Sequence, residues 1–275
     1  MQSQCHYKIS SPEKKNQSRC VKEYLGSYAY ETTKETKPEI DYDSLVTEDD
    51  TPVDNFYCEK QLRLLPESLK SSWNRKKPYI VAADVGIYEN PPDTVIVPDV
   101  FLSLDVQYAE DIWKKRNRCY MIGIFGKPPE LVIEVVSNKK GEENTTKLNR
   151  YETIGIKYYV IFDPCYHILT SSKIQVYKLI GGSYKLYSED IDECIWFNDL
   201  NLGMKVIKGI FEEMEADWLR WCDCNGNILL TGFERAIEVE QRANKFENQM
   251  KYEQERANAL AQELARLKAK MVMNA

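Results

Sequence analysis

The sequence predicts an α/β protein: a mixed β-sheet core flanked by helices, followed by a C-terminal coiled-coil helix. Three observations carry that expectation. Residues 131–162 read as strand, loop, short helix and strand, which implies a parallel pair joined by a crossover. Gly181-Gly182 separates two alternating runs, a hairpin signal. From Ala236 onward apolar residues recur with a strict period of seven.

In chain order, residues 1–45 are polar and lack sustained periodicity, so they read as a disordered or loosely attached segment. Residues 46–232 form the expected core domain, and 233–275 the coiled-coil helix. Phe56 to Trp73 has the apolar spacing of a core-facing helix, with Phe56, Leu62, Leu65, Leu69 and Trp73 on one stripe. Pro66 would split it into two short helices. Tyr79 to Tyr88 reads as a strand interrupted at Asp84, with a turn at 89–93 leading into a second strand over Val95–Phe101. Leu131 to Val136 is a strand covered on both faces, because both alternating sets are apolar. Asn144 or Thr145 would cap the following helix, and Gly155 would stop it. After Pro164 the strands Lys173–Ile180, Ser183–Tyr187, Trp196–Leu202, Trp218–Cys224 and Ile228–Leu230 are expected to extend or cap the core sheet.

Composition limits the function classes. The 275 residues suit one core domain plus appendages, and 43% hydrophobic residues are enough for a core. A net charge of −6 argues against holding nucleic acid by overall positive charge alone. It is compatible with an acidic metal site. None of the eight cysteines forms C-x-x-C, and His6 and His167 complete no zinc pattern. Cys222 and Cys224 share a face of a strand-like segment, as a metal or redox pair or, better, as ordinary side chains. No apolar leader opens the chain and no stretch approaches a membrane span, so the expectation is a reduced, cytoplasmic protein without membrane partners.

Candidate chemistry lies on the strands. Glu134 is the one charge in an apolar strand, costly unless something charged meets it. Lys147 falls in the first turn of the helix that follows. Asp99 follows Pro98 at the start of the Val100-Phe101 run. Two acids and a lysine on neighbouring sheet elements can bind a hard divalent cation such as magnesium and orient a nucleophilic water. Taken singly, each has a plain structural reading: Asp99 a turn residue, Glu134 a satisfied ion pair, Lys147 a solvated helix face. Asp84 is a further candidate for the metal's surroundings or else a bulge residue. Glu59 is an extra acid near the site or a solvent-facing residue. Lys114, Lys115, Arg116 and Arg118 surround Trp113, a basic run beside an aromatic that can grip phosphate and stack a base; on its own it is a solvated face.

These residues carry a resemblance. Pro98-Asp99, then Glu134-Val135-Val136-Ser137, then K-L-x-x-Y-x-x-x-G-I-x-Y-Y-V-I-F-D-P over 147–164 are similar to the Uma-type family of endonucleases. That family belongs to the restriction-endonuclease-like PD-(D/E)XK superfamily, and the resemblance runs from about Asp54 to the C-terminus. It implies a restriction-endonuclease-like fold, Asp99 and Glu134 as magnesium ligands with manganese as a substitute, and hydrolysis of DNA phosphodiester bonds. The superfamily's lysine normally sits two residues after the acid. That position is Val136 here, and Lys147 is the candidate for the migrated lysine.

The heptad positions from Ala236 are apolar except Glu253, and the strongest run is Leu260 to Met271. Charges at Arg242, Glu247, Glu263 and Lys268 support a parallel homodimer through residues 236–275. Three functions follow as expectations: a magnesium-dependent DNA endonuclease; a catalytically decayed nuclease-fold scaffold or nucleic-acid-binding protein that dimerises through its coiled coil; and a structure-specific or RNA nuclease.

Overall fold

The computed structural model describes residues 40–46, 55–91, 95–139, 143–188 and 194–273. Contacts separate Ile40–Ala275 from Met1–Glu39, and the fold below is that of Ile40–Ala275. Most of the expected loose segment, residues 1–39, lies outside the described residues. Residues 40–46 lie against the domain: Leu45 is buried, and the Tyr88 hydroxyl donates to the Val46 carbonyl.

The elements run in order α1 (Phe56–Ser72), β1 (Tyr79–Ala83), β2 (Ile87–Tyr88), β3 (Val100–Leu104), β4 (Tyr120–Met121), α2 (Ile122–Phe125), β5 (Leu131–Val135), α3 (Leu148–Ile154), β6 (Tyr158–Phe162), β7 (Ile174–Ile180), β8 (Ser183–Ser188), β9 (Ile195–Phe197), β10 (Leu202–Phe211), β11 (Met214–Cys222) and α4 (Gly232–Met273). A six-stranded mixed sheet has the order β1-β3-β5-β6-β7-β8, with β5 and β6 parallel and the other pairs antiparallel. This is the mixed α/β architecture that the sequence predicts.

Alternation along β5 divides the core in two. Leu131, Ile133 and Val135 face one layer, with Leu62, Leu65 and Leu69 of α1 and Leu202, Leu219 and Trp221 of the second sheet. Val132 and Val136 face the other, with Tyr151 and Ile154 of α3. Period-two alternation assigns Glu134 to the α3 side.

Several expectations are corrected. Pro66 sits inside one continuous α1 rather than splitting it. Loss of one backbone hydrogen bond is outweighed there by burial of Leu62, Leu64, Leu65 and Leu69. Phe56, expected in the core, is 83% exposed, because it opens the helix beyond the packed stripe. The Val95–Phe101 strand starts only at Val100, preceded by a lone bridge between Ile87 and Ile96. Helical structure begins before the expected Asn144 or Thr145 cap: Glu143–Lys147 is a π-helical turn running directly into α3, whose N-cap position is Lys147. Gly155 does end α3, in the left-handed conformation at φ 87°.

Of the strands expected to extend or cap the core sheet, β7 and β8 extend it, whereas those after residue 194 build a separate sheet, β11-β10-β9, that packs on it. Trp196–Leu202 is not one strand, because a turn at Asn198–Asn201 breaks it. The long β10–β11 hairpin turns at Glu212-Glu213, both at positive φ. Cys194 and Cys222 form a disulfide, against the expectation of reduced cysteines. The bridge joins the two outer strand segments across β10, where Gly203 pairs with both Trp196 and Cys222. A Cβ on Gly203 would come within 2.4 Å of the Cys194 sulfur, so only glycine fits.

Helix α4 starts from a capping box. The Thr231 amide donates to Glu234, and the Glu234 amide donates back to the Thr231 hydroxyl. Buried Arg220 on β11 forks onto both Glu234 oxygens at 2.9 and 2.7 Å. Beyond this root the apolar heptad residues, including Phe246, Met250, Leu260, Leu264 and Leu267, are exposed. Among the described residues no helix is long and apolar enough to cross a membrane.

Candidate active site

Register brings three acids into one row. β1 and β3 pair as far as Ala83 opposite Val100, and the Asp84 amide extends that ladder by donating to the Asp99 carbonyl at 3.1 Å. β3 and β5 pair with Val100 opposite Ile133, so one step further sets Asp99 opposite Glu134. The row Asp84, Asp99, Glu134 thus crosses three neighbouring strands at one end of the sheet. Asp84 lies at φ 55° and is exposed, which ends β1 at that residue. An Asp tolerates this left-handed conformation better than bulkier side chains.

Glu134 is 1% exposed and both of its oxygens are engaged. Lys147 Nζ donates to Oε2 at 2.7 Å, and the Tyr151 hydroxyl donates to Oε1 at 2.6 Å. The crossover explains the meeting. β5 and β6 are parallel, the chain between them returns over the α3 face, and Lys147 and Tyr151 are four residues apart on it. Asp99 accepts from the Val135 amide through Oδ2 at 2.6 Å, which holds its carboxylate beside β5.

Burial, then the charge of Asp99, push the Glu134 carboxyl up to about 8, with Lys147 and Tyr151 pulling it back only in part. Burial likewise raises Asp99, against the Val135 amide and Lys147. Burial alone would lower Lys147, but Glu134 and Asp99 outweigh it and hold its proton on. Burial and then Glu134 raise Tyr151 well above the ordinary phenol range, so its hydroxyl remains a donor.

Among the described residues no group of three or more His, Cys, Asp or Glu is gathered as a metal-binding cluster. The donor set nevertheless fits a hard divalent ion that keeps most of its waters. Two buried carboxylates repel one another here, and a cation held by them would offset that cost. Glu143, whose charge is felt by both Asp99 and Lys147, has a buried oxygen, Oε2, without a hydrogen-bond partner.

Glu59 and the basic run lie outside that row of acids. Glu59 is ion-paired to Arg63 at 2.5 Å on the surface of α1, and Arg63 also grips Glu212. Glu59 and Asp84 line the same open groove between α1 and β1. In the basic run, Trp113 is 78% exposed, Lys114 is near Asp111, and Lys115 donates to the Asp43 carbonyl at 2.7 Å. Lys114, Arg116 and Arg118 are exposed. Sequence reasoning assigns no role to Tyr151 beyond its place in the K-L-x-x-Y run. Its spacing of four from Lys147 was the available signal. It also missed Glu143 and Tyr159, whose hydroxyl donates to the Glu143 carbonyl at 2.8 Å and ties down the turn carrying Lys147.

Residues 51–193, more than half of the chain, match the family model for Uma2, described as "putative restriction endonuclease". The chain belongs to the Uma2 family of restriction-endonuclease-like nucleases. No curated protein matches it. Among solved structures it is similar to the crystal structure of "a putative nuclease belonging to DUF820" from Anabaena variabilis ATCC 29413. That likeness has 13% identity and a TM-score of 0.39, and covers 54% of this chain and 75% of the other.

Proposed function

We propose that this member of the Uma2 family is a divalent-metal-dependent endonuclease that hydrolyses DNA phosphodiester bonds. The observation that carries the reading is the buried Glu134, opposite Asp99 in the sheet and joined to Lys147 at 2.7 Å. Buried acids and a lysine that perturb each other's ionisation are enriched at reactive sites. Asp99 and Glu134 would hold magnesium or manganese. Such an ion, when bound, polarises a phosphoryl oxygen and makes its water a better nucleophile at neutral pH.

The chain's own groups have separate tasks. Lys147 keeps its proton and sets a positive charge beside the carboxylates, where it can stabilise charge building on a scissile phosphate. Its side chain is 31% exposed while Glu134 is closed off, so it is the member of the pair that an incoming backbone can reach. Asp99 is held in place by the Val135 amide. Lys114, Arg116 and Arg118 with Trp113 offer exposed positive charge and a stacking surface for the nucleic acid. Pairing of α4 with a second copy through residues 236–275 would put two such sites in one particle, which suits cutting both strands of a duplex.

The test is nicking of supercoiled plasmid by the full-length protein in magnesium or manganese. Wild type relaxes the plasmid and Glu134→Ala does not; an inert wild type overturns the reading. One observation favours the rival reading, a nuclease fold without activity: Glu134 already has a partner on each oxygen. A structural ion pair of that kind would leave the melting temperature indifferent to metal. A working site is stabilised by about 2.7 kcal/mol at a metal concentration of about 100 times Kd.

A further inference from the structure

Lys147 and Tyr151 hold Glu134 differently. A lysine ammonium is a compact charge with three rotatable donors, so it follows a carboxylate rather than orienting it. The terminal torsion of a glutamate is broad, and nothing in β5 itself prevents rotation. The Tyr151 hydroxyl, in contrast, sits on a rigid ring. That ring is completely buried and packs on Tyr159 with centroids 5.1 Å apart. The backbone is tied down as well: the Tyr151 carbonyl accepts from both the Gly155 and the Ile156 amides at 3.1 Å. The chemistry assigned above gives this hydroxyl no task, yet it occupies one of the two Glu134 oxygens at 2.6 Å.

We propose that Tyr151 is a positioning residue for the metal centre. Its hydroxyl fixes the rotation of the Glu134 carboxylate, so that Oε2 meets Lys147 and the lone pairs left over are presented toward Asp99. A carboxylate has about four lone-pair directions, so two donors leave room for a metal ion. This inference rests on the reading of Asp99 and Glu134 as the metal-holding pair.

The experiment compares full-length wild type with Tyr151→Phe, which keeps the ring and deletes only the hydroxyl. Mn2+ alone, without DNA, is titrated by calorimetry. Tyr151→Phe is expected to bind Mn2+ about 10–100-fold more weakly, as loss of a partner orienting a metal ligand typically does. At fixed Mn2+ its nicking kcat falls while KM for the plasmid is unchanged. Tyr120→Phe is the control. It deletes another buried hydroxyl, one that meets Ser103 and the Lys127 carbonyl, and should leave Mn2+ affinity as in wild type.

Equal Mn2+ affinity in wild type and Tyr151→Phe overturns the inference, whether or not the protein cuts DNA. Weaker binding by Tyr151→Phe in a protein that never nicks DNA upholds the inference and removes the nuclease reading. No Mn2+ binding by wild type overturns both. Should Tyr151→Phe not fold, a crystal structure of the wild type with Mn2+ decides. A Tyr151 hydroxyl still on Glu134 supports the proposal, and one that has left it overturns it.

Discussion

Two clusters of charge in this protein are built from the same chemistry and behave in opposite ways. On the surface of α1, Arg63 lies between Glu59 and Glu212, with all three side chains exposed by more than a third. In the core, Lys147 meets a Glu134 that is 1% exposed, with Asp99 nearby. At the surface the arginine's hydrogen bonds dominate, holding Glu59 below the ordinary carboxylate range and Glu212 down at about 2. In the core, loss of water dominates and Glu134 rises to about 8. Similar ion pairs therefore favour the charged acid in one place and the protonated acid in the other. If the core pair holds a cation as proposed, that ion would favour the ionised form of Glu134 and displace its proton.

The largest expected effect sharpens this contrast. Lys147→Met should lower nicking by about 10²–10³-fold, the usual loss when a transition-state charge stabiliser is removed. Arg63→Met, the equivalent change at the surface, should leave the rate unaltered. A comparable loss in both variants would break the distinction.

pH tests the same contrast with opposite signs. Metal-free native Glu134 keeps a proton that the unfolded chain releases near 4.5, so stability should fall as pH rises from about 4.5 through about 8. The slope is bounded by about 1.4 kcal/mol per pH unit. Glu134→Gln should flatten the slope in melting curves taken across that window, and added Mn2+ should do so too. Glu212 has the reverse linkage. Its native value near 2 lies below the ordinary 4.5, so its contribution is fully present above about pH 4.5 and is lost as pH falls from there toward about 2. Glu212→Gln should therefore lessen acid sensitivity and leave the neutral-to-alkaline slope alone.

The smallest effects concern stability alone. Arg63→Met should cost no more than about 1 kcal/mol in urea unfolding, the ordinary worth of exposed pairs. Thr231→Ala should cost about 1 kcal/mol through the lost cap on α4, without altering metal affinity. A larger loss for Arg63 would mean that it holds the β10–β11 turn through Glu212, and the surface cluster would then be more than a solvated ion pair.

The β5–α3–β6 unit was legible because its signals are local: a short apolar run, a glycine stop and a second run ending in Asp163-Pro164. Glu134 stood out because charge in such a strand is costly. Asp99 and Lys147 followed from strand order. The β10–β11 hairpin was not legible, because its turn is Glu212-Glu213 and lacks the glycine or asparagine that usually allows positive φ. Lys60 and Arg63 hold that turn from another element, a tertiary contact with no local trace. The Cys194–Cys222 bridge was hidden in the same way, since spacing names no partner. Tyr151 carried no signal of its own, because its one polar atom acts only once β5 lies beside it.

The locked root of α4 has a mechanical consequence. Its 42 residues, at 1.5 Å each, make a boom of roughly 63 Å. A small tilt at the base is magnified along that length, so the grip of Arg220 on Glu234 steers the far tip. If two copies pair along their distal turns as proposed, this mounting would set the spacing between their candidate sites, as the rivet of a pair of shears sets the gap between its blades.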